Sequence, residues 1–222
     1  MTKGNDWGAT SDTTPSGNSV HRQGESPQDE TGVSQGEKIR AQQGSVKIRA
    51  QQGSVSKKVL LREPVSEDGA AVHRLISRCP PLDENSLYCN LLQASHFAST
   101  GVAAEVDREL VGFVSGYLIP QRPDTLFVWQ VAVAEEVRGL GLAGRMVREI
   151  LGRPGCGQVR HLETTITPDN AASWALFRGL ARKLGSTCTE AVMFDRERHF
   201  FGLHDSEILL RIGPFSPGAV AG

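Results

Sequence analysis

Hydrophobic and polar residues recur with changing periods along this chain, and each period predicts an element. Residues 59–62 have the pattern of a short strand, and helical spacing follows, with Val72, Leu75 and Ile76 on one face. A second helix is predicted over residues 84–93, with Asp83 as its N-terminal cap. The folded part therefore begins with one strand and two helices.

The period then changes to that of strands. Residues 101–105 and 110–119 form a predicted hairpin, and residues 125–133 are apolar on both faces, as in a central strand. The remaining predicted elements are a helix over 142–151, a strand over 160–167, a helix over 168–184, and strands over 191–194 and 208–212. This order predicts a single α/β domain built on a mixed (α+β) sheet, not a doubly wound parallel sheet.

The two ends of the chain differ from the domain in composition. Residues 1–56 are polar and poor in large apolar side chains, so we expect a disordered tail. Within it the nonapeptide KIRAQQGSV stands at 38–46 and again at 47–55, too few copies for a solenoid. We place the domain at 57–215 and a flexible C-terminal tail at 216–222. The alternative for the N-terminal tail is an interaction module.

Bulk properties exclude several classes of partner. The formal net charge of −1 provides no basic surface for nucleic acid, and no apolar run reaches the ~18 residues of a membrane span. The four cysteines are scattered, without the spacing of zinc or redox motifs. We therefore expect reduced thiols, no metal, no nucleic-acid or membrane partner, and a cytoplasmic location.

A glycine-rich turn joins the predicted central strand to the next helix. The segment RGLGLA at 138–143 presents bare backbone N–H groups at a helix N-terminus, which suits an anion such as a pyrophosphate. By itself this is a weak signal, and a Rossmann interpretation is weaker because the first βαβ unit is missing. With the surrounding order of elements, the segment resembles the GNAT superfamily of N-acetyltransferases. The resemblance implies that acetyl-CoA is held by Val131, Val133, Arg138, Gly139, Gly141, Ala143, Gly144 and Asn170.

Four separated segments narrow the resemblance. They are PPLDENSLYC at 80–89, FVWQVAV at 127–133, LETTITPDNAASW at 162–174, and FDRERHF at 194–200 followed by His204 and Glu207. In this order they are similar to the diaminobutyrate acetyltransferases, which acetylate the γ-amine of L-2,4-diaminobutyrate in ectoine biosynthesis, a pathway of osmoadaptation. The resemblance implies a homodimer and a substrate site formed by Asp83, Tyr88, Trp129, His204 and Glu207.

These residue types suit a substrate with two ammonium groups and one carboxylate. Asp83 and Glu207 offer carboxylates, and Trp129 and Tyr88 offer aromatic faces for a cation. A structural alternative stays open for each residue: Asp83 as a helix cap, Trp129 as core, and Tyr88 as a packed side chain. His204 and Glu207 could belong to a solvated loop, and their spacing with His199 matches no metal motif.

Acetyl transfer to an amine requires removal of a proton and an acid for the leaving thiolate. The sequence leaves Glu163 and His204 as alternative bases. Many GNAT enzymes carry a tyrosine acid where this chain has Phe177, so Tyr88 or water takes that role, or coenzyme A leaves as a thiolate. Acylation of Cys89 is a further route, disfavoured because no basic neighbour activates it. The alternative functions are acetylation of another small amine and coenzyme A sensing without catalysis.

Overall fold

The computed structural model describes residues 42–50 and 53–216, and within them eight strands form one sheet. The strands are β1 (Gln42–Ala50), β2 (Gly53–Arg62), β3 (Val102–Val106), β4 (Glu109–Ile119), β5 (Arg122–Val133), β6 (His161–Ile166), β7 (Cys188–Phe194) and β8 (Glu207–Ile212). Their order in the sheet is β1-β2-β3-β4-β5-β6-β8-β7. Only β5 and β6 run parallel; the other neighbouring pairs of this sheet are antiparallel. The predicted mixed sheet is confirmed.

Five α-helices of the described chain pack on or beside this sheet. They are α1 (Gly69–Ser77), α2 (Leu87–Ser95), α3 (Leu142–Leu151), α4 (Ala171–Lys183) and the short α5 (Arg196–Phe200). Apolar side chains of three helices are buried, including Leu75 of α1, Met146 of α3 and Leu180 of α4, whereas Leu87 of α2 is 44% exposed. The cap of α2 differs from the prediction: the Ser86 hydroxyl accepts from the Cys89 N–H, so Asp83 is not the cap.

The sheet divides at its parallel pair. The β5–β6 pairing covers only Thr125, Leu126 and Phe127, the last of which lies opposite Glu163. Beyond Phe127, β5 pairs with β4 alone, and β6 continues against β8. Within the described sheet, the second half of β5 therefore forms no backbone hydrogen bonds with β6. This leaves a wedge-shaped gap between these two central strands.

A β-bulge in β5 changes the face on which its side chains lie. Ser115 pairs with Gln130 and Gly116 with Val128, so Trp129 is the extra residue. Thr125–Val128 are buried, but from Trp129 onward buried and more exposed positions alternate. The prediction of a strand buried on both faces thus holds only for the first half. The bulge beside the wedge exposes 44% of Trp129, which is therefore not a core residue.

Strand β1 corrects the expectation of a disordered tail reaching residue 56. It pairs with β2 from Gln42 opposite Leu61 to Ala50 opposite Gly53, so both copies of the nonapeptide contribute to it. The ladder is made by backbone N–H and C=O groups. These groups can pair even where few side chains are apolar. Predictions for residues 1–41 and 217–222 lie outside the described residues.

Candidate active site

The glycine turn forms an open anion-binding geometry before α3. Gly139 and Gly141 have φ of +75° and +73°, a left-handed conformation that favours glycine. Gly141 is the N-cap of α3 and supplies no side chain to the first-turn N–H groups. These groups and the positive end of the helix dipole are therefore available to a phosphate.

The turn lines a cavity of about 480 Å³ between the end of β5, α3, α4 and the segment after α1. All the residues predicted to hold acetyl-CoA line it: Val131, Val133, Arg138, Gly139, Gly141, Ala143, Gly144 and Asn170. Leu142 and Leu176 add apolar wall, as does Pro81 on the opposite side. A cavity with apolar walls and an anion-binding turn fits a ligand that joins a neutral arm to a pyrophosphate.

Two polar residues of this cavity also support its shape. The Arg138 Nε donates to the Val133 carbonyl oxygen at 2.9 Å, which fixes the turn against the end of β5. The Asn170 Oδ1 accepts from the Ser173 N–H at 3.1 Å and caps α4. Because these bonds use only part of each side chain, the remaining guanidinium and amide N–H groups can face a ligand.

Two of the residues predicted to bind substrate are placed by the sheet face that α1 and α2 cover: Asp83 lies over it and Glu207 lies on it. Gln130 reaches from β5 to the carbonyl oxygen of Asp83, which places the segment before α2 over the bulge. Cross-strand partners share a face, so Phe127, Glu163 and Arg211 lie together. Glu207, four residues before Arg211 in β8, lies on that face as well.

Specific contacts order the His204–Glu207 segment, which is a partly exposed loop as far as Ser206 and enters β8 at Glu207. The Arg196 guanidinium contacts the Asp205 carboxylate at 2.7 Å, and the Arg196 N–H donates to Ser206. The His204 Nδ1 lies 2.7 Å from the Asp205 carbonyl oxygen. Since a carbonyl only accepts, Nδ1 carries the proton and Nε2 of the neutral ring can accept one. That Nε2 lies 4.0 Å from a Glu207 carboxylate oxygen.

Two arginines hold Glu163 firmly. Its side chain is 2% exposed, receives two bonds from Arg122 at 2.6 and 2.8 Å, and contacts Arg211 closely. The bonds from Arg122, helped by those from Arg211 and opposed by burial, lower the pKa of the Glu163 carboxyl. A carboxylate fixed between two guanidiniums is a poor proton acceptor, which disfavours Glu163 as the base.

The other predicted residues fall into clear environments. Tyr88 is 70% exposed and so is not a packed side chain, whereas Phe177, on α4, is buried in the hydrophobic core. The Asp83 side chain is exposed, and its carboxylate has no bonded partner among the described residues. Cys89 contacts the amides of Asn85 at 3.7 Å and Gln93 at 3.6 Å, neither of them a base.

Sequence reasoning missed three residues at this face. Arg122 and Arg211 hold Glu163 from positions 41 and 48 residues away, so no local spacing reveals them. Gln130 was passed over as part of an apolar strand, although one buried amide in such a run was a usable signal.

In the described chain no group of three or more histidine, cysteine or acidic side chains could hold a metal ion. Nor does any described helix have the length and hydropathy to cross a membrane.

Comparisons with known proteins agree with this geometry. The family model described as the acetyltransferase (GNAT) family matches residues 70–181. The L-2,4-diaminobutyric acid acetyltransferase of Methylotuvimicrobium alcaliphilum is 63% identical over 157 residues, covering 71% of this chain and 91% of that protein. Its counterpart from Chromohalobacter salexigens is 51% identical, with 72% and 84% covered.

Solved structures give the same result. Diaminobutyrate acetyltransferase EctA from Paenibacillus lautus, in complex with L-2,4-diaminobutyric acid and coenzyme A, superposes with a TM-score of 0.69 at 40% identity, covering 72% of this chain and 96% of that one. The ribosomal-protein-S18-alanine N-acetyltransferase of Escherichia coli shares the fold, with a TM-score of 0.56 at 13% identity, 71% of this chain and 94% of that one. The chain therefore belongs to the GNAT family and, within it, to the L-2,4-diaminobutyric acid acetyltransferases.

Proposed function

We propose that the chain transfers the acetyl group of acetyl-CoA to the γ-amine of L-2,4-diaminobutyrate, giving N4-acetyl-L-2,4-diaminobutyrate and CoA, a step of ectoine biosynthesis. One observation carries this proposal. The cavity lined by all the predicted acetyl-CoA residues, Val131 among them, is also lined by Leu82. Leu82 and Val131 are close chain neighbours of Asp83 and Trp129, so the donor cavity adjoins the acceptor face.

The acceptor face has the charges that a diamine requires. Asp83 and Glu207 contribute two carboxylates, from the segment before α2 and from β8. The half-exposed Trp129 ring offers a face for a cation. These groups favour an acceptor with two ammonium groups, and the complex of the Paenibacillus lautus protein with diaminobutyric acid supports that assignment.

His204 is the base that the geometry favours. An alkylammonium has a pKa near ~10, so the amine must lose a proton before it attacks. The lone pair on Nε2 of His204 can accept that proton directly or through water, and the nearby Glu207 stabilises the resulting imidazolium. The neutral amine then forms the new C–N bond while the C–S bond of the thioester breaks, and the acylated nitrogen releases its second proton to water.

The developing oxyanion and the leaving thiolate need partners as well. The unpaired side of β5 near Val131 offers backbone N–H groups beside the cavity, which suits an oxyanion. Phe177 is buried and has no proton to donate. Tyr88 is the exposed hydroxyl on the acceptor side, and we assign it the transfer of a proton to the thiolate of CoA.

A homodimer in the cytoplasm completes the proposal. Val192, Phe201 and Leu203 are large apolar side chains exposed on and after the edge strand β7, as expected of a surface covered by a second copy. All four cysteines are free thiols, which suits a reducing compartment.

Thiol release from acetyl-CoA with a panel of small amines tests the proposed acceptor. We expect selective turnover of 2,4-diaminobutyrate over ornithine and lysine. Equal rates with all three would contradict the specific acceptor and favour a GNAT enzyme for another amine. Binding of CoA without turnover of any amine would favour a sensor.

A further inference from the structure

We propose that Gln130 is a positioning residue that holds Asp83 at a fixed distance from the acceptor face and thereby sets the length of diamine that the enzyme accepts. The inference rests on the proposed function and extends it to a residue that does not itself touch the substrate. It is carried by the hydrogen bonds of one buried amide between the sheet and the segment before α2.

Gln130 lies directly after the bulge at Trp129 and is 6% exposed. Its Nε2 donates to the Asp83 carbonyl oxygen at 2.7 Å, across 47 residues of sequence. Its Oε1 accepts from the Asn85 Nδ2 at 3.5 Å, and the same Asn85 nitrogen lies 3.3 Å from the Asp83 carbonyl oxygen. The Gln130 amide therefore joins the bulge to both Asp83 and Asn85.

The segment 83–86 depends on Gln130 for its connection to the sheet. Asn85 has φ of +56°, a left-handed conformation, directly before Ser86, which caps α2. In the described chain, Gln130 is the one sheet residue whose side chain forms hydrogen bonds with residues 83–86. Because the Asp83 carboxylate has no bonded partner there, its position follows from its backbone, which Gln130 fixes.

The preceding part of the same segment is attached separately. The Leu82 N–H donates to the Cys79 carbonyl oxygen at 3.0 Å, and the Cys79 Sγ lies 3.5 Å from the Val133 carbonyl oxygen. These contacts hold the residues that line the acetyl-CoA cavity. Loss of the Gln130 amide should therefore release Asp83 while the donor side keeps its shape.

Fixing Asp83 has a direct consequence for specificity. Asp83 lies on the segment before α2, and Trp129 and Glu207 lie on the sheet, so a diamine must span the space between the two. A site discriminates one methylene by about 10–200-fold only when its walls cannot adjust. A mobile Asp83 could follow the longer acceptor, and selectivity would fall.

The test compares Gln130→Met, which keeps the volume and removes the amide, with Ser115→Ala. Ser115 is the buried cross-strand partner of Gln130, and its hydroxyl has no partner among the described residues. Steady-state kinetics with 2,4-diaminobutyrate and ornithine give the selectivity ratio. For Gln130→Met we expect the KM for diaminobutyrate to rise about tenfold and the ratio of kcat/KM values to fall about tenfold, equal to about 1.4 kcal/mol. The KM for acetyl-CoA should stay within about twofold, and Ser115→Ala should match the wild type.

A selectivity ratio unchanged in Gln130→Met would overturn the inference, because a purely structural role lowers activity on both acceptors alike. Amide hydrogen exchange gives a readout that needs no turnover. We expect residues 83–86 to exchange faster in Gln130→Met than in Ser115→Ala, and equal protection in the two variants would also overturn the inference. If the wild type fails to acetylate diaminobutyrate, the proposed function fails, and the exchange result still decides the role of Gln130.

Discussion

Replacement of Glu163 by glutamine separates a structural role from a catalytic one. Glu163 joins β5 to β8 at the last pair before β5 and β6 diverge, through two bonds from Arg122 and one from Arg211. Glutamine keeps the shape and one acceptor oxygen but removes the charge. We therefore expect a loss of stability with little loss of chemistry.

The contacts set the magnitude. A hydrogen bond to a charged group contributes about 1.5–3 kcal/mol. The Arg122 and Arg211 side chains are 45% and 29% exposed, so water takes over part of their pairing in the variant. We expect Glu163→Gln to lower the free energy of unfolding by about 2 kcal/mol, which for a domain of this size lowers Tm by about 4–8 °C.

The pH dependence follows from the sign of the shift. The guanidiniums lower the pKa of Glu163 below its ordinary value of 4.5, so its stabilisation is complete above that value. It is lost as the pH falls through the lowered pKa of the folded state. Urea unfolding should therefore show the largest difference between wild type and Glu163→Gln near neutral pH and a shrinking difference below about pH 4.5.

Glu190→Gln is the matched control. It makes the same chemical change in an exposed pair with Arg178, so it should cost less than about 1 kcal/mol. Removal of a general base costs about 10²–10⁴-fold in rate. A loss of that size in kcat for Glu163→Gln, with stability unchanged, would refute the structural assignment and restore Glu163 as the base.

Three further variants test other parts of the site. Gly141→Ala should raise the KM for acetyl-CoA and lower the free energy of unfolding by about 1–2 kcal/mol, because φ at this residue is +73°. The control, Gly155→Ala, has open space and no positive φ, so it should change neither quantity. Equal KM values for the two variants would contradict the anion-binding turn. Tyr88→Phe should lower kcat about a hundredfold, and a change in KM alone would limit Tyr88 to binding. Cys89→Ala should retain turnover within about twofold, since a loss of turnover would indicate a covalent route.

Local patterns account for most of the predicted fold. The helices α3 and α4 and the turn between β3 and β4 follow from periodicity, caps and turn residues a few positions apart. Strand β1 was missed because its pairing depends on backbone groups and an available strand edge, which composition does not report. The bulge at Trp129 was missed for a related reason: it is a mismatch of register between two strands and has no signature in either one.

The residues of the candidate site also divide into those that local patterns indicate and those that depend on distant contacts. The residues predicted to bind acetyl-CoA, apart from Asn170, lie in one turn and its flanking elements, so a local motif is enough to propose them, and the structure gathers all of them around one cavity. Glu163 is a candidate base by its polar type and its place in a strand, and its partners Arg122 and Arg211, which disfavour that role, cannot be found from the sequence. A base requires a free lone pair, and only the three-dimensional contact of the His204 Nδ1 indicates that its Nε2 is free to accept a proton.

The position of the new acetyl group tests the central claim most directly. The wild-type protein is incubated with acetyl-CoA and L-2,4-diaminobutyrate, and the product is examined by proton–carbon correlation NMR. Our account predicts N4-acetyl-L-2,4-diaminobutyrate as the product, with one CoA released for each acetyl group transferred. Acetylation at the α-amine, or no acetylated product, would contradict it.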